Sequence, residues 1–232
     1  EDRISELVYA LCEEEREVDD IDKSELSMPT NGRFLEWGKK QHPIWLTERF
    51  AFFKRTFGGT SFSIKNIQQP LPLDCSKGSA STWFSGWLTK NGIETKEVSL
   101  DAVEINNQCG AGDFSPTAQW SIAEAAASEH LLLKSLKPAP EGTIVGAALD
   151  GDGDRCLIIQ STGTGYKVID GDAIADTLVV AGTQQEKSWL LAASIESDLS
   201  LLSSVSRLPV EVQSIETAVG DRWLSHALRG SL

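Results

Sequence analysis

A layered α/β fold with mixed, largely parallel sheets is predicted by three features of this chain. Short apolar runs alternate with helical patterns from about residue 69 onward. Glycine, proline and asparagine punctuate the joints between them. The helices fall between successive strands instead of forming a block of their own, which is the order of βαβ units around a largely parallel sheet.

Leu71–Leu73 reads as the first strand of this series. Pro70 and Pro72 restrict it to a short or edge position, because proline brings no donor to a central ladder. Ser81–Lys90 reads as a helix stopped by Asn91-Gly92, and Ile93–Leu100 as the next strand. Ser121 and Glu124 have capping-box spacing ahead of an alanine- and leucine-rich helix to about Leu136, which Pro138 and Pro140 close. Ile144–Leu149 is then a continuous apolar strand. Cys156–Gln160 and Tyr166–Ile169 flank Gly163-Thr164-Gly165 as a hairpin. Asp170 is placed to cap a helix through Leu178, a contribution of about 1 kcal/mol; this reading is preferred to a second metal site on Asp170 and Asp172. A strand at Trp189–Ala193, a helix at Ser197–Val205, a strand at Val210–Ile215 and a helix start at Trp223 repeat the rhythm as a second α/β domain.

The N-terminal part is less regular. The acidic run from Glu13 to Glu25 reads as a solvated helix face followed by a linker. Residues 33–56 carry Phe34, Leu35, Trp37, Trp45, Leu46, Phe50, Phe52 and Phe53, read as core and helix packing. Residues 38–68 show no pattern that assigns an element.

Composition narrows the function. With 232 residues, 41% hydrophobic and 24% charged, the chain is long enough and apolar enough to fold as one to two domains. A net charge of −13 argues against a nucleic-acid partner, since no basic face is available to replace counterions on a phosphate backbone. Cys12, Cys75, Cys109 and Cys156 are scattered without a CxxC pair, as in a reduced, cytoplasmic protein. No apolar run is long enough to cross a membrane, and no secretory signal pattern is present. Oligomeric state leaves no trace in the sequence.

The chemistry concentrates in Ala148-Leu149-Asp150-Gly151-Asp152-Gly153-Asp154-Arg155. The glycines permit a tight turn, so Asp150, Asp152 and Asp154 can converge. Three hard anionic oxygens suit Mg²⁺ or Ca²⁺. Arg155 beside them offers the fork of donors that fits a phosphate. An EF-hand is excluded: counted from Asp150, its sixth position holds Arg155 where glycine is needed and its twelfth holds Ser161 where a bidentate glutamate belongs. An ordinary acidic turn competes with the metal reading, but three like charges within five residues favour a cation or a basic group nearby.

This loop and the segments around it resemble the α-D-phosphohexomutase superfamily, most of all its phosphoglucosamine mutases and then its phosphomannomutase/phosphoglucomutases. Asn31-Gly32-Arg33-Phe34-Leu35-Glu36 is similar to the helix that opens the family's second domain. Leu73-Asp74-Cys75-Ser76-Lys77-Gly78-Ser79-Ala80 is similar to its first strand and Gly-containing turn. Val103-Glu104-Ile105-Asn106-Asn107-Gln108-Cys109-Gly110-Ala111 resembles its Asn-Ile-Asn…Cys-Gly-Ala loop. Val168-Ile169-Asp170-Gly171-Asp172 and Ala218-Val219-Gly220-Asp221-Arg222 follow in the family's order.

The resemblance implies a phosphohexomutase-like fold, with the tail of a first domain at 1–30, a second domain with the metal loop at 31–165 and part of a third at 166–232. It implies a Mg²⁺-dependent intramolecular phosphotransferase that interconverts hexose 6-phosphate and hexose 1-phosphate through a bisphosphate. Asp150, Asp152 and Asp154 would hold the metal, and Arg155 would contact the phosphate during transfer. Gly220, Asp221 and Arg222 would approach the substrate, or else form a strand-to-helix turn capped by Asp221. Asn106, Cys109 and Gly110 would be architectural. The family's phosphoserine loop, of Thr-Ala-Ser-His-Asn-Pro type, has no counterpart here, and Ser225-His226 falls in a helical pattern. An internal fragment, inactive alone, is therefore expected. The loop that reads the sugar is also missing, so the hexose is not legible. His42 and His130 have no spacing partner. A second class stays open, a non-catalytic metal- or sugar-phosphate-binding relative that lacks the phosphoserine.

Overall fold

The structure is a computed structural model that describes residues 32–57, 66–184, 188–197, 199–208 and 210–229. The acidic run from Glu13 to Glu25, and Asn31, lie outside these residues. The chain divides into two compact units, residues 1–48 and 49–232. The described part of the first unit is the opening of helix α1 (Gly32–Phe57), in which Trp37, Ile44 and Trp45 are each more than half exposed. Pro43 sits inside this helix. A proline there withholds a donor and crowds the preceding turn, which is why the pattern beyond the expected helix opening at 31–36 assigns no element. Of the aromatic residues expected to pack, those in the second unit divide. Phe50 meets Trp87 at 5.5 Å, whereas Phe52 and Phe53 stay about half exposed; Phe57, which follows that stretch, meets Trp189 at 5.5 Å.

The second unit is built on a six-stranded sheet in the order β2–β1–β4–β5–β6–β3. Its strands are β1 (Leu71–Asp74), β2 (Thr95–Glu97), β3 (Gln119–Ser121), β4 (Ile144–Leu149), β5 (Cys156–Ser161) and β6 (Gly165–Ile169). β2, β1 and β4 are parallel, and β5, β6 and β3 extend the sheet antiparallel. Helix α2 (Phe84–Lys90) links β1 to β2 as a βαβ unit and ends at Asn91, as the Asn-Gly signal predicts.

β1 is interior, not an edge strand, and its register accommodates the proline. The Leu71 N–H donates to Glu94 O, and Leu73 O accepts from Val98 N–H, so these alternate residues serve β2. Pro72 therefore turns its missing donor towards β4, where pairing starts only at Leu73↔Ala147. The strand expected over Ile93–Leu100 is shorter. The Glu97 carboxylate accepts the Ser99 N–H at 2.8 Å and the Ser99 hydroxyl at 2.5 Å, and the chain turns there into a 3₁₀ segment at Ser99–Asp101.

The Ser121/Glu124 capping box forms in both directions, but the helix it opens is broken in two. α3 (Ile122–Ala127) stops, and α4 (Leu131–Ser135) restarts with the His130 ring accepting the Leu132 N–H at 3.2 Å. The β5–β6 hairpin forms as read, as does the Asp170 cap of α5 (Gly171–Thr183), where the carboxylate accepts the Ala173 N–H at 3.0 Å. β6 belongs to the first sheet, so a boundary at 165/166 passes through this hairpin. A second sheet pairs β7 (Trp189–Ser194) and β8 (Val212–Thr217) in parallel, with α6 (Leu199–Val205) between them in sequence and α7 (Asp221–Arg229) after them. No described helix is long and apolar enough to cross a membrane.

The main core packs α4 onto the sheet through Leu132, Val145, Ala148, Ile159 and Tyr166. A Cβ added at Gly146 would lie 2.9 Å from Leu136 Cδ2 and 3.1 Å from Leu132 Cδ1, which shows how directly the helix rests on β4. A smaller cluster of Leu73, Cys75, Ala80 and Leu149 lies under the loops that leave β1 and β4. Leu132 is fully buried, so Leu132→Ala should cost about 2–5 kcal/mol through lost burial and a residual cavity. Urea unfolding measures this, and a loss below about 1 kcal/mol would remove Leu132 from the core.

Candidate metal and phosphate site

The acidic loop closes the β4–β5 hairpin, where Leu149 and Cys156 are register partners. Asp150 folds the loop onto itself. Its Oδ1 accepts the Gly153 N–H at 3.1 Å and the Arg155 N–H at 3.2 Å, and its Oδ2 accepts from Arg155 Nε at 2.7 Å. Gly153 takes a φ of +84°, which L side chains rarely adopt. The result is the convergence expected from the spacing. One ligand atom from each of Asp150, Asp152 and Asp154 lies within 4.8 Å of the others. Oxygens sharing one ion can be no farther apart than twice the metal–oxygen distance, about 4.2 Å for Mg²⁺ and about 5 Å for Ca²⁺. The donor set therefore fits a hard divalent cation, with a slight contraction for Mg²⁺.

The three carboxylates differ electrostatically. Burial raises the Asp150 pKa, but the hydrogen bond and charge of Arg155 and the two backbone donors outweigh it and hold the group at about 2. Asp154 moves the other way, raised first by the negative charge of Asp152. A cation relieves that repulsion. Arg155 is itself held more firmly protonated by its bond to Asp150. That bond uses Nε, and the side chain remains 74% exposed, with its outer donors on the solvent side.

Two further loops fix this one in place, all at the carboxyl ends of parallel strands, where α/β sheets commonly bind ligands. The turn after β1 donates the Ser79 N–H to Gly151 O at 2.9 Å and the Ser79 hydroxyl to Asp152 O at 2.7 Å. A Cβ at Gly78 would collide with the Gly151 carbonyl, so this close approach requires glycine. In the loop at 103–111, the Asn106 N–H donates to Ser76 O at 3.2 Å. The Ser76 hydroxyl lies 2.7 Å from Asn106 Oδ1 and 3.0 Å from Leu149 O. Asn106 and Gly110 are thus architectural, and Cys109 is buried, with a thiol pKa raised by that burial.

Gly220 and Arg222 belong to the other sheet, at the turn from β8 into α7. Gly220 O accepts the Trp223 N–H at 3.0 Å, so Gly220 holds the cap position expected of Asp221. The Asp221 side chain lies outside the described ones. The Arg222 guanidinium stacks over the Trp223 ring at 4.8 Å. Ser225 and His226 lie within α7, as read.

Two buried residues carry more than their sequence positions suggest. The Asp74 carboxylate, fully buried at the end of β1, accepts the Ser76 N–H and the Gly110 N–H, each at 2.8 Å. His130 Nε2 lies 3.3 Å from Gly110 O and 3.9 Å from Asp74 Oδ2. No local spacing connects residues so far apart in sequence. The one available signal was a carboxylate at the end of a buried strand.

No protein-family model matches the chain. Its sequence is similar to phosphoglucosamine mutases: that of Kineococcus radiotolerans is 30% identical over 182 residues, covering 77% of this chain and 35% of the relative. The enzyme of Mycolicibacterium smegmatis is 30% identical over 165 residues (68% and 31%), and that of Zymomonas mobilis 31% over 167 residues (68% and 32%). The chain spans about a third of the length of the curated relatives it matches. A putative phosphomannomutase from Thermus thermophilus overlaps in structure with a TM-score of 0.45 and 18% identity, over 72% of this chain and 35% of that one. The resemblance carried by the motifs is thus matched by relatives: over two thirds or more of its length the chain is related to phosphoglucosamine mutases.

Isothermal titration with Mg²⁺ should show binding that Asp152→Asn combined with Asp154→Asn abolishes; equal affinity in the double variant would disprove the metal site. The Asp150–Arg155 pair adds a pH dependence. Because the folded-state pKa is depressed, the pair stabilises the fold above the ordinary value of 3.8 and loses that contribution as pH falls through about 2. Carboxyl NMR titration should therefore place the Asp150 midpoint near 2 and show it rising in Arg155→Ala. A midpoint unmoved by that change would assign the shift to the backbone donors alone.

Proposed function

We propose that this relative of the phosphoglucosamine mutases forms the metal-bearing core of a phosphohexomutase. The reaction is the interconversion of a hexose 6-phosphate and a hexose 1-phosphate through a bisphosphate, with Mg²⁺ as cofactor. The observation that carries the reading is the convergence of three carboxylates and an arginine in one hairpin loop. The names of the relatives add weight to it. The free thiols of Cys75, Cys109 and Cys156 agree with a reduced, cytoplasmic setting.

Asp150, Asp152 and Asp154 are the residues that would hold Mg²⁺. A bound divalent ion supplies charge neutralisation and a template for in-line phosphoryl transfer. Arg155 presents its outer guanidinium donors to solvent beside these carboxylates, where they can grip a phosphate in paired hydrogen bonds. Its Nε bond to Asp150 anchors the guanidinium, so less freedom is lost when a phosphate arrives. Gly220, Asp221 and Arg222 are proposed to face the substrate from the second sheet, with the backbone of the β8–α7 turn setting their position.

The alternative role for Arg155 is to offset the local negative charge and nothing more. Calorimetry with glucose 1,6-bisphosphate at saturating Mg²⁺ separates the two, since Arg155→Lys keeps the charge and loses the fork. A phosphate-gripping Arg155 predicts an affinity loss of at least tenfold, roughly 1.4 kcal/mol, measured at a temperature where both proteins are fully folded. Equal affinity in the lysine variant would reduce Arg155 to charge balance and overturn its phosphate role.

A further inference from the structure

Asp74 ties together two loops that the strand pairing does not itself join. It is fully buried, yet neither of its carboxylate bonds belongs to the sheet: one goes to the turn after β1 and the other to the loop between β2 and β3. Only a carboxylate offers an acceptor oxygen to each of two backbone donors; an asparagine in its place would set an NH₂ group against one of them. The Gly110 backbone is held at both of its polar groups. Its N–H goes to Asp74, and its carbonyl faces His130 Nε2 at 3.3 Å. Since His130 Nδ1 accepts from Leu132, the ring proton is on Nε2 and donates to Gly110 O.

The two loops joined in this way are strained. Among the described residues, the non-glycine residues with positive φ are Ser76 (58°), Lys77 (52°), Asn106 (59°) and Gln108 (53°), and all lie in these loops. Such conformations persist only where the surroundings over-determine them, and they concentrate at functional sites. Gly110 has a φ of +95°, and a Cβ there would overlap Ser76 Oγ, so the loops also touch without spare room. Ser76, aimed by its unusual backbone, reaches Leu149 O at 3.0 Å, the carbonyl immediately before Asp150.

We propose that Asp74 is the positioning residue of the acidic loop: by clamping Ser76 and Gly110 it fixes the platform on which Asp150, Asp152 and Asp154 converge. The inference rests on the metal reading for its consequence and on geometry alone for the clamp. Two measurements on Asp74→Asn, amide hydrogen exchange by NMR and Mg²⁺ titration, keep these apart. Exchange at Gly153 and Arg155, whose N–H groups bond to Asp150, should accelerate at least tenfold, with the β5–β6 amides unchanged. Mg²⁺ affinity should fall at least fivefold. Ser76→Ala, which removes the link to Leu149 and leaves the carboxylate intact, should give part of the same loss, and the double variant should add little to Asp74→Asn. If Asp74→Asn does not fold, Ser76→Ala decides alone. Unchanged exchange at Gly153 and Arg155, or acceleration spread evenly over the whole sheet, would overturn the positioning role. Wild-type protein that fails to bind Mg²⁺ would remove the metal reading, while the exchange pattern would still judge the clamp.

Discussion

Three parallel strands, β2, β1 and β4, have their carboxyl ends on the same side of the sheet, and the chain leaving each of them has to occupy the same small volume. The contact that makes this possible is backbone against backbone, where Gly78 presses on the carbonyl of Gly151. No rotamer can relieve a Cβ placed there, because the obstacle is main chain. Once that approach is allowed, Ser79 can bond twice to the acidic loop and Ser76 can reach the end of β4. The convergence of the aspartates is therefore a property of three loops together. Asp150 orders its own hairpin, but the direction in which the hairpin faces is set by its neighbours.

Electrostatics follows the same division of labour. Asp74 and Asp150 are both buried, and both are satisfied largely by backbone donors. Asp74 lies behind the loops, where burial raises its pKa more than its donors and the nearby His130 lower it. Asp150 lies at the front, where the bond from Arg155 reverses that balance. Asp152 and Asp154 are exposed, and their mutual repulsion is left for solution to screen or for a cation to remove. Arg155 is the cation at hand within the loop itself.

What the sequence disclosed was whatever is coded locally. The Asp-Gly-Asp-Gly-Asp-Arg loop, the apolar run of β4, the hairpin at Gly163 and the caps at Ser121 and Asp170 all depend on residues within a few positions of one another. Those features were legible. Interior β1 was not, because Pro72 is tolerated only through an alternation that becomes visible when both neighbours are known. The continuation of helix α1 past its opening was hidden by Pro43, and the break between α3 and α4 by a histidine that serves as a cap. The clamp of Asp74 on Gly110, with His130 behind it, spans 36 residues in one contact and 20 in the next. Spacing rules have no purchase on such distances, so His130 had no partner until the fold supplied one.

The pairing of β7 with β8 has a practical outcome for anyone handling this chain. Both outer edges of that two-stranded parallel ribbon carry backbone donors and acceptors with no strand beside them among the described residues. Such rows are templates for another copy, and a two-stranded ribbon has little cooperativity with which to resist. β8 offers some protection through Glu216 in its exposed face, whereas β7 reads Trp-Leu-Leu-Ala-Ala-Ser and contains no charge at all. Concentrated solutions are thus at risk of edge-to-edge association through β7, and a lysine introduced at the Ala192 position would be a gatekeeper against it.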